Sequence, residues 1–441
     1  MNYQAFFGQR LDALKREGNY RTFVELERPA GQFPRVIWHS PNGPRDVVTW
    51  CSNDYLGMGH HRVVKEAMVQ AAEAGATGAG GTRNIGGTNY WHIKLEKTLA
   101  ALHRKPAALT FTSGYTANFT ALAVLGSLLP NCVILSDASN HNSMIEGIRR
   151  SGAVKQIFAH NDVRDLEARL AALPKEQAKI IAFESVYSMC GSMAPIREII
   201  ALAKQYGALT YLDEVHAVGM YGEQGGGVAQ MLGAEVEAGI DLIQGTMGKA
   251  FGLVGGYIAA SDELVDCVRS FGHGFIFSTS LPPVIAAGAH ASITHLMQSN
   301  TERAAQRRNV AELQQALAAA GIPAMATSQS HIVPIVVGDA IKAKRVTDRL
   351  LDAHGVYVQP INYPTVPRGT ERIRLTPGPH HMPNLIAELV RALDAVWTEF
   401  DLPRVLAPVP VVKLPRNEPL MPLGKFTPKA SPWTGALAAS T

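Results

Sequence analysis

The sequence predicts an α/β protein: a large, mainly parallel sheet with helices on both faces, followed by a smaller C-terminal α+β unit. Three observations carry this prediction. Short apolar runs rich in β-branched residues alternate with segments of helical period from about 108 to 260. Each run ends in polar or glycine-rich residues. The chain of 441 residues has room for two or three domains.

The runs AALTF (107–111), CVILS (132–136), QIFA (156–159), KIIAF (179–183), ALTYL (208–212) and DLIQG (241–245) read as buried strands. Helix candidates at 141–150, 162–172 and 195–206 lie between them. A helical stretch over 281–320 leads to strand candidates at 331–337, 356–359 and 372–376, and to a closing helix at 383–399. The expected division is a helix and arm over 1–45, a large domain over 46–295, a small domain over 296–400 and a tail over 401–441. The tail holds eight prolines and little periodicity, so it reads as extended or disordered.

Composition excludes several classes. Hydrophobic residues make up 46% and charged residues 18%, an ordinary globular balance. No apolar stretch approaches the ~20 residues of a membrane span. The leading MNYQAFFGQRLDALKREGNYRTF has neither an apolar signal core nor an import leader, so the expected address is cytoplasmic. Cys51, Cys132, Cys190 and Cys267 form no CxxC pair, against a zinc knuckle or disulfide frame. The net charge of +4 is too slight to argue for nucleic acid. All of it comes from residue 402 onward, where five basic residues face the single acid Glu418.

In open α/β sheets ligands bind at the carboxyl ends of strands. There ALTYLDEVHAVG (208–219) delivers Asp213 and His216, and GTMGKAFG (245–252) delivers Thr246 and Lys249 among Gly245, Gly248 and Gly252. A lysine that forms a Schiff base needs close backbone approach, which flanking glycines permit. A carboxylate such as Asp213 at a pyridine nitrogen keeps that nitrogen protonated. Taken alone, each fragment also fits a solvated loop lysine or a strand-end cap. TFTSGYTAN (110–118) turns from strand to helix at Ser113-Gly114-Tyr115, an anion cradle or an ordinary capped turn. SNHNSMIEGIR (139–149) starts a helix at His141, and AFESVYSM (182–189) adds Ser185 and Ser188 to the rim.

Competing motifs fail. A nucleotide P-loop ending at Lys249 would need glycine at 243 and Ser or Thr at 250, where Ile243 and Ala250 stand. GATGAGGTRNIGG (75–87) does not satisfy GxGxxG between strand and helix, and no HExxH spacing supports a metal site.

Several segments together carry a resemblance: WCSNDYLG (50–57), GTRNIGGT (81–88), SNHNSMIEGIRRSG (139–152), HNDV (160–163), ESVYSM (184–189), DEVHAVGMYG (213–222), GKAFG (248–252), FIFSTSLPP (275–283) and QPINYPTVPRGTERIRLTP (359–377). In order, and over roughly 3–400, they resemble the α-oxoamine synthase family, fold-type I enzymes of pyridoxal 5'-phosphate (PLP). GTRNI, the YRTF arm at 20–23 and NYPTVPRGTERIR resemble its aminolevulinate branch. The resemblance implies decarboxylative condensation of glycine with succinyl-CoA, in a homodimer whose sites straddle the subunit interface. It implies Lys249 as the Schiff-base lysine and proton carrier, Asp213 at the pyridine nitrogen, His216 at the phenolic oxygen and His141 stacked on the ring. Gly114, Tyr115, Ser188 and Thr246 would also meet the cofactor, with Ser278 and Thr279 reaching its phosphate from the other subunit. Asn53 and Arg374 would hold the glycine carboxylate. Arg21, Thr82, Asn84 and Ile85 would receive the succinyl end, with Ser136, Lys155 and Thr365 also contacting succinyl-CoA. No metal, nucleic acid or membrane is implied.

Departures stand out. Cys190-Gly191-Ser192 follows YSM where the family typically shows acidic residues, Gly86 stands where serine is common, and the basic tail is unlike the usual bacterial ending. Alternatives are a sister acyltransferase such as a 2-amino-3-ketobutyrate CoA ligase, a paralogue of secondary metabolism, or a cofactor-binding protein without catalysis. The last would show a replaced Lys249 or Asp213, and neither is replaced.

Overall fold

The computed structural model describes residues 1–405, so the tail expected at 401–441 lies almost entirely outside the described residues. After a helix at Tyr3–Arg16, part of the expected arm is sheet: β1 (Leu26–Glu27), β2 (Arg35–Ser40) and β3 (Gly43–Thr49). Ser40 pairs with Gly43 across the β2–β3 turn, and Gly43 takes φ 107°, a conformation that strains any side chain.

The strands β4 (Ala107–Phe111), β5 (Val133–Asp137), β6 (Val154–Phe158), β7 (Lys179–Glu184), β8 (Leu209–Asp213) and β9 (Leu242–Thr246) fall within two residues of the expected runs. β10 (Gly256–Ala260) completes a sheet of order β4-β10-β9-β8-β7-β5-β6. The pairs from β9 to β6 are parallel, while β10 is antiparallel to both β9 and β4. The loop over 247–255 reverses the chain without a crossover helix, so the strand–helix alternation does not reveal β10.

Successive residues on a strand face opposite sides of a sheet. Leu135, Ile181, Phe183, Leu212 and Ile243 pack into one core, and Ile134, Ile180, Ala182, Tyr211 and Leu242 into another. Both faces are buried, hence the continuous apolar runs. Polar side chains gather at the carboxyl ends, where in-register pairing sets Glu184 beside Asp213 and Asp213 beside Gln244.

Further on, β11 (Val333–Val336), β12 (Val356–Tyr357), β13 (Pro360–Ile361) and β14 (Arg372–Leu375) follow. β11, β14 and β13 form an antiparallel sheet, and β12 pairs in parallel with β3. Helices Thr301–Ala319, Ala340–His354 and Pro383–Glu399 bury Leu313, Val346, Leu389 and Trp397 with Ile373 and Leu375. The two-residue period turns Arg372 and Arg374 away from that core, toward the loop after β7. Among the described residues no helix is long and apolar enough to cross a membrane.

Candidate active site

Five strand or helix termini meet at one cavity of about 170 Å³, lined by Gly114, Tyr115, Asn118, His141, Ser143, Glu184, Asp213, Val215, His216, Thr246, Gly248 and Lys249. Ser113 caps the helix Gly114–Leu128, its hydroxyl oxygen accepting from the Thr116 N–H at 3.0 Å. That aims the first turn, Gly114 and Tyr115, at the cavity. His141 caps the helix Asn142–Ser151, and its ring nitrogen Nδ1 accepts from the Ser143 N–H at 3.2 Å.

Asp213 lies at the floor. Its Oδ2 accepts from Asn118 Nδ2 at 2.7 Å and its Oδ1 from the Val215 N–H at 2.8 Å. Asn118 is itself fixed, donating to Ser143 Oγ at 3.0 Å and accepting from Tyr211 OH at 2.8 Å. Burial pushes the Asp213 carboxyl above its usual range, against the pull of Asn118, the Val215 N–H and Lys249. Burial and the Asp213 charge push Glu184 well up too, although Glu184 Oε1 accepts from the His141 N–H at 2.6 Å.

Lys249 Nζ lies 3.0 Å from His216 Nε2, and His216 Nδ1 lies 2.8 Å from Tyr55 OH. Burial lowers the Lys249 amine to about 8, helped by Arg374 and opposed by Asp213 and Glu184. Burial, with Lys249 and Arg374 nearby, pushes His216 well below its ordinary value, so its ring is neutral. The lysine loop depends on Gly252, which takes φ +77° and where a Cβ would sit 2.0 Å from the Gly59 nitrogen. Thr246 holds the other end, donating to the Gly255 carbonyl at 2.7 Å and accepting from the Gly248 N–H at 3.0 Å.

Beside the cavity, Arg374 donates to Asn53 Oδ1 at 2.7 Å and to the Ser188 carbonyl at 3.0 Å. The two residues are far apart in sequence, and β14 brings them together.

The remaining expected residues lie elsewhere in the chain. Arg21 donates to Thr365 Oγ1 at 3.2 Å, and both line a separate cavity of about 340 Å³. Thr82 pairs with Thr279 through an isolated bridge, and Thr279 and Ser278 line a cleft with Arg83, His92 and Thr110. Asn84 and Ile85 are exposed on the segment Arg83–Gly87, which an Arg83–Glu96 fork at 2.6 and 3.0 Å anchors. Ser136 is buried and accepts from Asn140 Nδ2 at 2.9 Å, while Lys155 is exposed on β6. Neither lines the Lys249 cavity.

Sequence reasoning missed Asn118, Ser143, Glu184 and Tyr55 as members of the site. All four stand inside quoted segments, and Asn118 follows Tyr115 at i+3, one helical face.

The family model for aminotransferase class I and II matches residues 45–393. The chain is 55% identical over 403 residues to a 5-aminolevulinate synthase of Bradyrhizobium diazoefficiens, covering 91% of this chain and 98% of that one. It is 54% identical to a 5-aminolevulinate synthase of Rhizobium meliloti, covering 92% of this chain and all of that one. A solved serine palmitoyltransferase from S. paucimobilis, with bound PLP-myriocin aldimine, superposes with TM-score 0.83 at 30% identity over 91% of this chain and 99% of that one.

Proposed function

Since the chain belongs to the 5-aminolevulinate synthases of the class I and II aminotransferase family, we infer that the Lys249 cavity holds PLP and condenses glycine with succinyl-CoA to 5-aminolevulinate, CoA and carbon dioxide. The observation that carries this reading is that Lys249 and Asp213, delivered by separate strands, line one cavity. The donor set fits the cofactor. Burial pushes the Asp213 carboxyl up despite Lys249 nearby, and a protonated pyridine nitrogen would supply the further positive charge that favours its ionised form. The N-terminus of the helix Gly114–Leu128 and Thr246 suit a phosphate, with Ser278 and Thr279 of a second subunit completing that end.

When bound, PLP supplies the electron sink that makes the Cα–H and Cα–carboxylate bonds of glycine breakable. The chain does the rest. Arg374 and Asn53 would hold the glycine carboxylate and so set the orientation of the amino acid in the cavity. Lys249 Nζ, with a pKa of about 8, accepts the Cα proton and returns one after carbon dioxide leaves. His216 donates toward the phenolic oxygen, held in place by Tyr55. His141 lines the cavity, where it would stack on the ring, while its backbone N–H occupies Glu184. Asp213 keeps the ring nitrogen charged, and Asn118 and Val215 keep Asp213 aimed.

At the acyl end, Arg21 with Thr365 matches the terminal carboxylate of succinyl-CoA, and family resemblance alone assigns Thr82, Asn84 and Ile85, which do not line the Arg21 cavity of one chain, to the same succinyl end. Ser136 and Lys155 stay assigned to succinyl-CoA by family resemblance alone. In one chain the Arg21 and Lys249 cavities are separate, so the reading takes a homodimer with shared sites as the working unit. It places the enzyme in the cytoplasm.

The test is an assay of purified protein with glycine and a panel of acyl-CoAs, following CoA release and product mass. Succinyl-CoA should be preferred and should give 5-aminolevulinate. Preference for acetyl- or long-chain acyl-CoA would move the protein to a sister activity.

A further inference from the structure

The departure Cys190-Gly191-Ser192 gains a meaning from its neighbours. Asp137 Oδ1 accepts from His160 Nδ1 at 2.9 Å, His160 Nε2 lies 2.8 Å from Ser192 Oγ, and Ser192 Oγ lies 3.1 Å from Cys190 Sγ. Asp137 is fixed by the Ser139 N–H at 2.8 Å and the Asn161 N–H at 2.9 Å. The result is an acid–imidazole–hydroxyl–thiol row outside the Lys249 cavity.

The row has two hydrogen-bond directions. With the ring neutral, the thiol donates to Ser192 and Ser192 donates to His160. With the ring charged, His160 donates to Ser192 and Ser192 donates to a thiolate. Passing from the first to the second moves one proton from sulfur to imidazole through the hydroxyl, and every donor keeps an acceptor. Burial works against the charged ring, yet the bond to Asp137 and the neighbouring thiol raise His160 to about 10. Burial likewise opposes the thiolate, but the bonds from His160 and Ser192 hold Cys190 below its ordinary value. The other charged or titratable groups facing this sulfur are Tyr187, edge-on to His160 at 4.3 Å, and Arg372, bonded to the Met189 carbonyl, with Glu371 beside it.

We propose that Cys190 is a built thiol-modification site, in which His160 and Ser192 hold an activated thiolate that takes up a low-molecular-weight disulfide. The Cys190 sulfur attacks one sulfur of the disulfide, a new S–S bond forms, and the old one breaks. The second half leaves as a thiolate that takes a proton from solvent. Cys190 is oxidised and the small disulfide reduced, so the electrons balance. Cys190 is half-buried, whereas burial seals Cys132 and pushes its thiol up to about 11. Cys51 is also pushed up to about 11.

The experiment uses the full-length holoenzyme. Its thiols are labelled with iodoacetamide from pH 5 to 9 and, separately, with oxidised glutathione, and each cysteine peptide is read by mass. An ordinary thiol is only a few per cent ionised at pH 7, so Cys190 should label about tenfold faster than Cys51 there. It should also gain one glutathionyl mass. His160→Gln should move the labelling midpoint up toward about 8.5. Ser192→Asp, which sets a negative charge beside the sulfur, should slow labelling and carries the comparison if His160→Gln does not fold. Equal rates for Cys190 and Cys51, a profile unmoved by either variant, or no glutathionyl adduct on Cys190 would each overturn the proposal.

Discussion

Glu184 and Asp213 stand directly opposite each other in register at the carboxyl ends of two parallel strands, both buried. Two carboxylates so placed do not both stay ionised without cations nearby, and burial pushes each one up. The His141 N–H serves Glu184, while Asn118 and the Val215 N–H orient Asp213 toward the cavity. Asp213 is thus the one aimed at a cationic ligand. Asp213→Asn should cut glycine-dependent Cα–H exchange, followed by deuterium wash-in, by about 10²–10³-fold, and Asp213→Glu should keep part of it. Equal exchange in wild type and Asp213→Asn would mean that the carboxylate faces something else.

Arg21 tests the acyl substrate. A charge-assisted hydrogen bond contributes about 1.5–3 kcal/mol, or one to two powers of ten in binding. Arg21→Leu should raise KM for succinyl-CoA by about ten- to a hundredfold and leave butyryl-CoA nearly unchanged. The ratio of kcat/KM for the two acyl-CoAs, measured in both proteins, decides it. An unchanged ratio would remove Arg21 from the succinyl pocket.

Subunit mixing tests the shared site. Lys249→Ala and the double variant Ser278→Ala/Thr279→Ala should each lack most activity alone. Unfolded and refolded together, half the dimers become mixed, with one intact site each. Activity should therefore return to about a quarter of wild type. No recovery, with dimers exchanged, would put all the groups of a site in one chain.

Glu214 gives a pH signature. Burial raises its carboxyl to about 7, although it accepts from the Val228 and Ala229 N–H groups and the Ser185 hydroxyl. The folded state then holds a proton that the unfolded state loses above the ordinary glutamate value of 4.5. Stability contributed by this group is complete below that value and declines as pH rises through about 7. Urea unfolding at pH 5, 6, 7 and 8 should show this decline in wild type and a flatter course in Glu214→Gln. Identical slopes would contradict it.

Much of the central sheet was legible because strands buried on both faces read as continuous apolar runs, each ending where chemistry sits. Asp213, His216, Thr246 and Lys249 were visible for that reason. β10 was not, because it turns back antiparallel without a helix. The β2–β3 hairpin went unread although Pro41-Asn42-Gly43 marks its turn. Asn118 and Glu184 depend on helix phase and strand register, which a linear motif does not give. From the residues alone nothing joined Arg374 to Asn53, whose contact awaits the folding of β14 against the segment after β3, where Thr376 also donates to the Trp50 and Ser52 carbonyls; only the family resemblance paired them.

The most direct measurement fixes the cofactor in place. Purified protein with PLP is reduced with borohydride, digested, and every lysine peptide is weighed, with Lys249→Ala as the comparison. A pyridoxyl mass on the peptide containing Lys249 is the predicted result. In Lys249→Ala that label should vanish, and turnover should fall by about 10²–10⁴-fold while cofactor still binds noncovalently. A pyridoxyl mass on a different lysine, or full turnover in Lys249→Ala, would contradict the account.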